Sequence, residues 1–156
     1  MINNDIFRRL RYAINASDNE IIKICSLKKF PVTYDDIKSF ESKEDDEDFK
    51  EMSDMALQFF LDGLIIKRRG ENPAEMPDSQ STIVTLSNNM ILKKIRIAFE
   101  FKEEDMLAIF KLAEFDLSKS ELSALFRKKG QTNYKELGDQ GLRNFLKGLT
   151  IKLRGK

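Results

Sequence analysis

The chain has no histidine, no tryptophan, only three prolines and a single cysteine. One cysteine excludes an internal disulfide. Without imidazole there is no His general base, no Ser-His or Cys-His arrangement and none of the common zinc ligand sets. Catalysis is therefore not expected, and neither a cofactor nor a metal site is expected. Long hydrophobic runs are missing as well: apolar stretches such as Leu64-Ile65-Ile66 are a few residues long, whereas a membrane span needs about 20. The opening Met1-Ile2-Asn3-Asn4-Asp5 lacks the basic start and apolar run of a signal peptide, so the expected location is cytoplasmic, with no membrane partner.

What is present is a soluble, helical balance, with 41% hydrophobic and 34% charged residues and twelve phenylalanines among 156 residues. The chain also contains itself twice. DMALQFFLDGLIIKRRG at 54–70 returns as DQGLRNFLKGLTIKLRG at 139–155. A constant shift of 85 positions, without a gap, sets Asn3-Asn4 on Asn88-Asn89, Ile6 on Ile91, Arg11 on Arg96 and Ala13 on Ala98. Of the 68 positions in 3–70, 21 are identical to their partners, far above the roughly one in twenty expected by chance. The units are 1–70 and 88–156, and 71–87, with two of the prolines and no periodic apolar pattern, is the linker. A unit near 70 residues is marginal as an independent domain, so the halves are expected to pack together.

Each unit reads as about four helices. Ile6, Phe7, Leu10, Ala13 and Ile14 recur at helical spacing, with Asn3 or Asn4 placed to cap the first amides. Ser17 and Glu20 form a capping box before Ile21, Ile24 and Cys25; Thr33 to Asp36 opens a third helix with Ile37 and Phe40, matched by Ser118 to Glu121. Cys25 falls opposite Phe110 within an apolar stripe, the place of a small core residue rather than a nucleophile. The fourth helix carries Leu57, Phe60, Leu61 and Leu64, repeated as Leu142, Phe145, Leu146 and Leu149. The expected fold is all-α: two tandem copies of a roughly four-helix unit packed with pseudo-twofold symmetry.

Residues kept in both copies are the structural candidates: Asn4 and Asn89, Asp54 and Asp139, Gly63 and Gly148. A helix-interior glycine costs about 1 kcal/mol relative to alanine. Keeping it twice implies a backbone approaching closely, either from the first helix or across the interface between halves. Gly70 and Gly155 are placed to end the fourth helices as left-handed caps. Asp54 and Asp139 read either as N-caps of the fourth helices or as caps that also pair with Arg11 and Arg96. The acidic run at 44–48, EDDED, lacks the glycine and terminal glutamate of a calcium loop, and reads as a solvated connection.

The paired openings NNDIFRRLRYA and NNMILKKIRIAF, the two fourth-helix stretches and the duplication itself resemble the YehS-like proteins, a bacterial family built from two copies of a domain of unknown function. The resemblance covers nearly the whole chain and is best carried by the second copy. Ser53-Asp54-Met55 departs from the Gly138-Asp139-Gln140 of that copy. It implies a fold and a bacterial cytoplasmic home, and it implies no activity.

Charge supplies the remaining hint. Residues 3–70 hold 12 basic and 14 acidic side chains, whereas 88–156 hold 15 and 9. Opposite signs on the halves point to a non-catalytic protein-interaction module, through self-association or a protein partner. The alternative is a regulatory nucleic-acid-binding protein using the basic motif of the first helices, Arg8, Arg9 and Arg11 with Lys93, Lys94 and Arg96. No small-molecule substrate is suggested.

Overall fold

The computed structural model describes residues 1–70 and 85–155, and among these the helical periodicity becomes eight α-helices with no strand. The first half holds α1 (Asn3–Ile14), α2 (Asp18–Ser26), α3 (Tyr34–Glu41) and α4 (Asp54–Arg69). The second holds α5 (Asn88–Phe99), α6 (Glu103–Leu112), α7 (Lys119–Leu125) and α8 (Asp139–Arg154). Among the described residues no helix is long and apolar enough to cross a membrane. Most of the expected linker, 71–84, and Lys156 lie outside the described residues. The linker's last positions belong to the second half: Leu86 is buried in the core and Ser87 caps α5.

Helix starts follow local chemistry. Reciprocal capping boxes open α2 (Ser17 with Glu20), α3 (Thr33 with Asp36) and α7 (Ser118 with Glu121), each satisfying two amides that the helix leaves bare. The asparagine pairs behave differently from the expectation. The N-cap positions of α1 and α5 are Ile2 and Ser87, so Asn3, Asn4, Asn88 and Asn89 lie inside the first turn and their side chains are free to reach other elements. At the C-terminal ends, Gly155 is left-handed with φ 74° and ψ 19°, whereas Gly70 has φ 82° but ψ 170°, so only the second copy has the expected cap geometry.

The long helices pair crosswise: α1 lies against α8 and α4 against α5, while α2 covers α4 and α6 covers α8. Both cross-pairs run parallel. At the start of α4, Asp54 accepts from the amide of Leu86 (2.9 Å), just ahead of α5; at its end, Arg68 and Arg69 donate to the carbonyls of Ala98 and Ile97 on α5 (3.2 Å each). The same contacts recur with the halves exchanged. Asp139 accepts from the Met1 ammonium (2.7 Å), and Arg154 donates to the carbonyl of Tyr12 (2.9 Å). Neither half therefore closes its own core.

That core is built from the predicted stripes. Leu57, Phe60, Leu61, Leu142, Phe145, Leu146 and Leu149 are all essentially inaccessible, each worth about 1.5–3 kcal/mol of burial. Phe7 meets Phe60 edge-on with centroids 5.1 Å apart, and Phe110 tilts against Phe145 at 5.2 Å. Cys25 sits beside them, buried, its thiol pushed up to about 12 by desolvation, a core residue as its spacing indicated. Gly63 and Gly148 do admit a close backbone, but neither from the first helix nor from the other half. A Cβ on Gly63 would run into the carbonyl of Ile24 in α2, its carbon 2.9 Å away, and one on Gly148 into that of Ile109 in α6, at 2.8 Å. The glycines weld the second helix to the fourth within each copy.

Candidate interaction surface

Asn4 is fully buried, and its amide nitrogen donates to the carbonyls of Phe40 and Lys50 while its oxygen accepts from the amide of Met52. Asn89 repeats this set on Leu125, Lys135 and Leu137, all bonds 2.8–2.9 Å. These asparagines staple the end of the third helix and the chain entering the fourth onto the first. Asn3 and Asn88 complete the joint by donating to Asp54 and Asp139.

The two aspartates are thereby corrected in role. Asp54 and Asp139 are the first helical residues, the N-cap positions being Ser53, which accepts from the Ala56 amide, and Gly138. Arg11 pairs instead with Asp18 and, at 2.5 Å, with Glu41. Arg96 donates to the carbonyl of Phe101 and stacks on the Phe126 ring. Asp139 is held below the usual carboxylate range by the Met1 ammonium and by Asn88.

The basic motif does not form one surface. Lys94 is buried against Asp62, and Arg11 and Arg96 are engaged as above. Arg8 is tied to Asp5 and to the carbonyls of Glu41 and Ser42. Arg9 and Lys93 are exposed, on different cross-pairs. The six positions therefore do not make one continuous row, with Lys94 buried and Arg9 and Lys93 on different cross-pairs. The acidic run at 44–48 forms exposed turns, and among the described residues no group of three or more cysteines and carboxylates is placed to hold a metal ion.

The structure instead gathers cations along α1 and α8. An open groove of about 320 Å³ is lined by Arg8, Arg9, Tyr12, Leu146, Lys147 and Thr150. Beyond Tyr12 the surface continues into a second depression bordered by Arg68, Phe99, Leu153 and Arg154. Tyr12 and Leu153 remain 50% and 41% exposed, and the Arg154 guanidinium lies 4.2 Å from the Tyr12 ring centroid. Thr150 donates its hydroxyl to the Leu146 carbonyl. Apolar and aromatic floor with cationic walls is the result. Glu41, already bonded to Arg11, is the acid that borders the depression lying between these two, the one shared by Arg8, Tyr12, Asn15 and Arg154.

Sequence reasoning did not single out Lys147, Arg154, Tyr12 or the buried pair Asp62 and Lys94 as a unit. A signal for one of them was on view: FLDGL in the first copy becomes FLKGL in the second, a charge reversal inside the most similar stretch.

Two segments, residues 3–70 and 88–155, each match the family described as "Protein of unknown function (DUF1456)". The chain is also similar to "Uncharacterized protein YehS" of Escherichia coli (strain K12), 39% identical over 155 residues that cover 97% of this chain and 96% of that protein. No solved structure matches. With both copies matched and the similarity running end to end, the chain belongs to this family of tandem-repeat proteins of unknown function.

Proposed function

We propose that the protein is a non-catalytic interaction module of the bacterial cytoplasm whose docking face is the groove between α1 and α8, and that its partner is a protein presenting an acidic, amphipathic segment. One observation carries this reading: the half-exposed Tyr12 and Leu153 stand among the cations Arg9, Lys147, Arg68 and Arg154. Tyrosine beside arginine is a combination enriched in binding hot spots. Cationic walls favour an acidic partner and speed its encounter. Thr150 in the groove commits its hydroxyl to the Leu146 carbonyl, and the chain's one thiol is buried away from it.

The test is a ¹⁵N–¹H NMR titration of the full chain with a synthetic helical peptide carrying leucine and phenylalanine on one face and glutamate on the other. Shift changes confined to α1, α8 and the neighbouring Arg68 and Phe99 support the docking face. Changes centred elsewhere, or none, remove it. A duplex DNA oligonucleotide run in parallel addresses the nucleic-acid reading. Saturable, salt-sensitive shifts with DNA and none with the peptide would replace a protein partner by a phosphate backbone.

A further inference from the structure

The two cross-pairs are assembled from corresponding positions, and at one place the correspondence breaks. Under the 85-residue shift, position 9 of α1 corresponds to 94 of α5, and position 147 of α8 to 62 of α4. In the α4–α5 pair these positions hold Lys94 and Asp62, 3% and 1% exposed, with Nζ 2.5 Å from Oδ1. In the α1–α8 pair they hold Arg9 and Lys147, both exposed on the wall of one groove. One cation is retained and the carboxylate has become a second cation.

We propose that Arg9 and Lys147 together receive a carboxylate from an acidic side chain of the partner protein, in the place that Asp62 occupies on Lys94. The inference rests on the α1–α8 groove being the docking face and adds its chemical key. Two like charges on one wall repel, and an anion between them relieves that repulsion while gaining from both. The guanidinium offers a planar fork that fits a carboxylate, and the ammonium adds a donor that can be aimed freely. The half-exposed Tyr12 lines the same groove and gives an ion pair there an apolar flank, which strengthens the attraction over that at an open surface. Arg8 does not compete for the incoming group, since Asp5 and two carbonyls hold it. In α4–α5 the corresponding pair of positions holds a cation and a carboxylate in direct contact.

The decisive variant is Lys147→Asp, which returns to α8 the carboxylate that α4 carries and lets Arg9 pair internally. Arg9→Met removes the other cation, and Lys93→Asp changes an equally exposed cation on α5. Affinity is read by fluorescence anisotropy with the glutamate peptide described above and with the same peptide carrying glutamine for glutamate. Circular dichroism and melting temperature check each fold. The wild type should prefer the glutamate peptide, Lys147→Asp and Arg9→Met should each lose about tenfold or more of that affinity, and Lys93→Asp should keep it. Wild-type-like affinity in both groove variants would overturn the carboxylate receptor while leaving the docking face intact. No binding of either peptide by the wild type would sink the docking face and the receptor with it. Displacement of the bound peptide by duplex DNA at physiological salt would overturn the carboxylate assignment in favour of phosphate.

Discussion

Gly148 in α8 faces the carbonyl of Ile109 in α6 so closely that no side-chain carbon fits between them, and Gly63 faces Ile24 in the same way. Alanine is the better helix former by about 1 kcal/mol. Here its methyl group would push on a helix backbone, and overpacking of that kind costs about 1–3 kcal/mol or more. Gly148→Ala and Gly63→Ala are each expected to lower stability by about 2 kcal/mol in urea unfolding. An unchanged or raised midpoint would mean that α2 and α6 move aside freely.

Asn89 satisfies two carbonyls and one amide, and Asn4 does the same in the first copy. Asn89→Ala strands buried polar groups and should cost about 3 kcal/mol. Asn89→Asp keeps the size and an acceptor for Leu137 but sets a carboxylate against the carbonyls of Leu125 and Lys135, so its loss should be no smaller. Equilibrium unfolding of the two variants checks the ordering, and a milder effect for aspartate would refute the donor role.

The Lys94–Asp62 pair is buried, and among the described residues Asp62 Oδ2 has no hydrogen-bond partner. Breaking such a pair from one side leaves a bare buried charge and costs about 3–5 kcal/mol, whereas replacing both members with apolar groups of similar volume is often neutral or stabilising. Lys94→Met alone should be strongly destabilised, and Lys94→Met with Asp62→Leu should recover most of that loss. A double-mutant cycle measures the coupling. Additive losses would show that the two charges stabilise the fold separately.

Acid sensitivity follows from the caps. Asp36 is held below its ordinary value chiefly by the Thr33 amide, Glu20 and Glu121 by the amides of Ser17 and Ser118, and Asp139 by the Met1 ammonium. Depressed carboxylates bind fewer protons when folded than when unfolded. Their contribution is therefore complete above the ordinary carboxylate range and is lost as pH falls through the lowered folded values. With no histidine in the chain, unfolding midpoints should be nearly flat from about pH 6 to 8 and fall below about pH 4. Asp36→Asn should flatten that acid limb, and a limb identical to wild type would exclude Asp36 from it.

Much of this architecture is legible in the residues because it is repeated in them. The apolar stripes of the fourth helices, the boxes at Ser17, Thr33 and Ser118, and the core place of Cys25 follow from spacing alone, since burial and capping are local rules. Less legible is what a polar side chain does once the chain is folded. Asn4 reads as a cap because asparagine favours caps, yet its partners lie 36 to 48 residues away. The row of Arg8, Arg11, Lys94 and Arg96 reads as a basic face; Arg8 meets Asp5 one turn back on its own helix, yet Arg11, Lys94 and Arg96 find partners through packing that no periodicity encodes. The crosswise pairing is likewise invisible in one copy, because the same apolar stripe would serve either neighbour.

That crosswise pairing also bears on origin. A polypeptide carrying one copy would leave bare the faces of its first and fourth helices that pair crosswise here, and a second, identical polypeptide could cover them with the same contacts made twice. Such a pair would be forced to keep its two seams alike, since every substitution would appear in both. Joining the copies in one chain lifts that constraint. Here Asp62 and Lys94 close one seam from inside, whereas Arg9 and Lys147 at the matching positions of the other face outward.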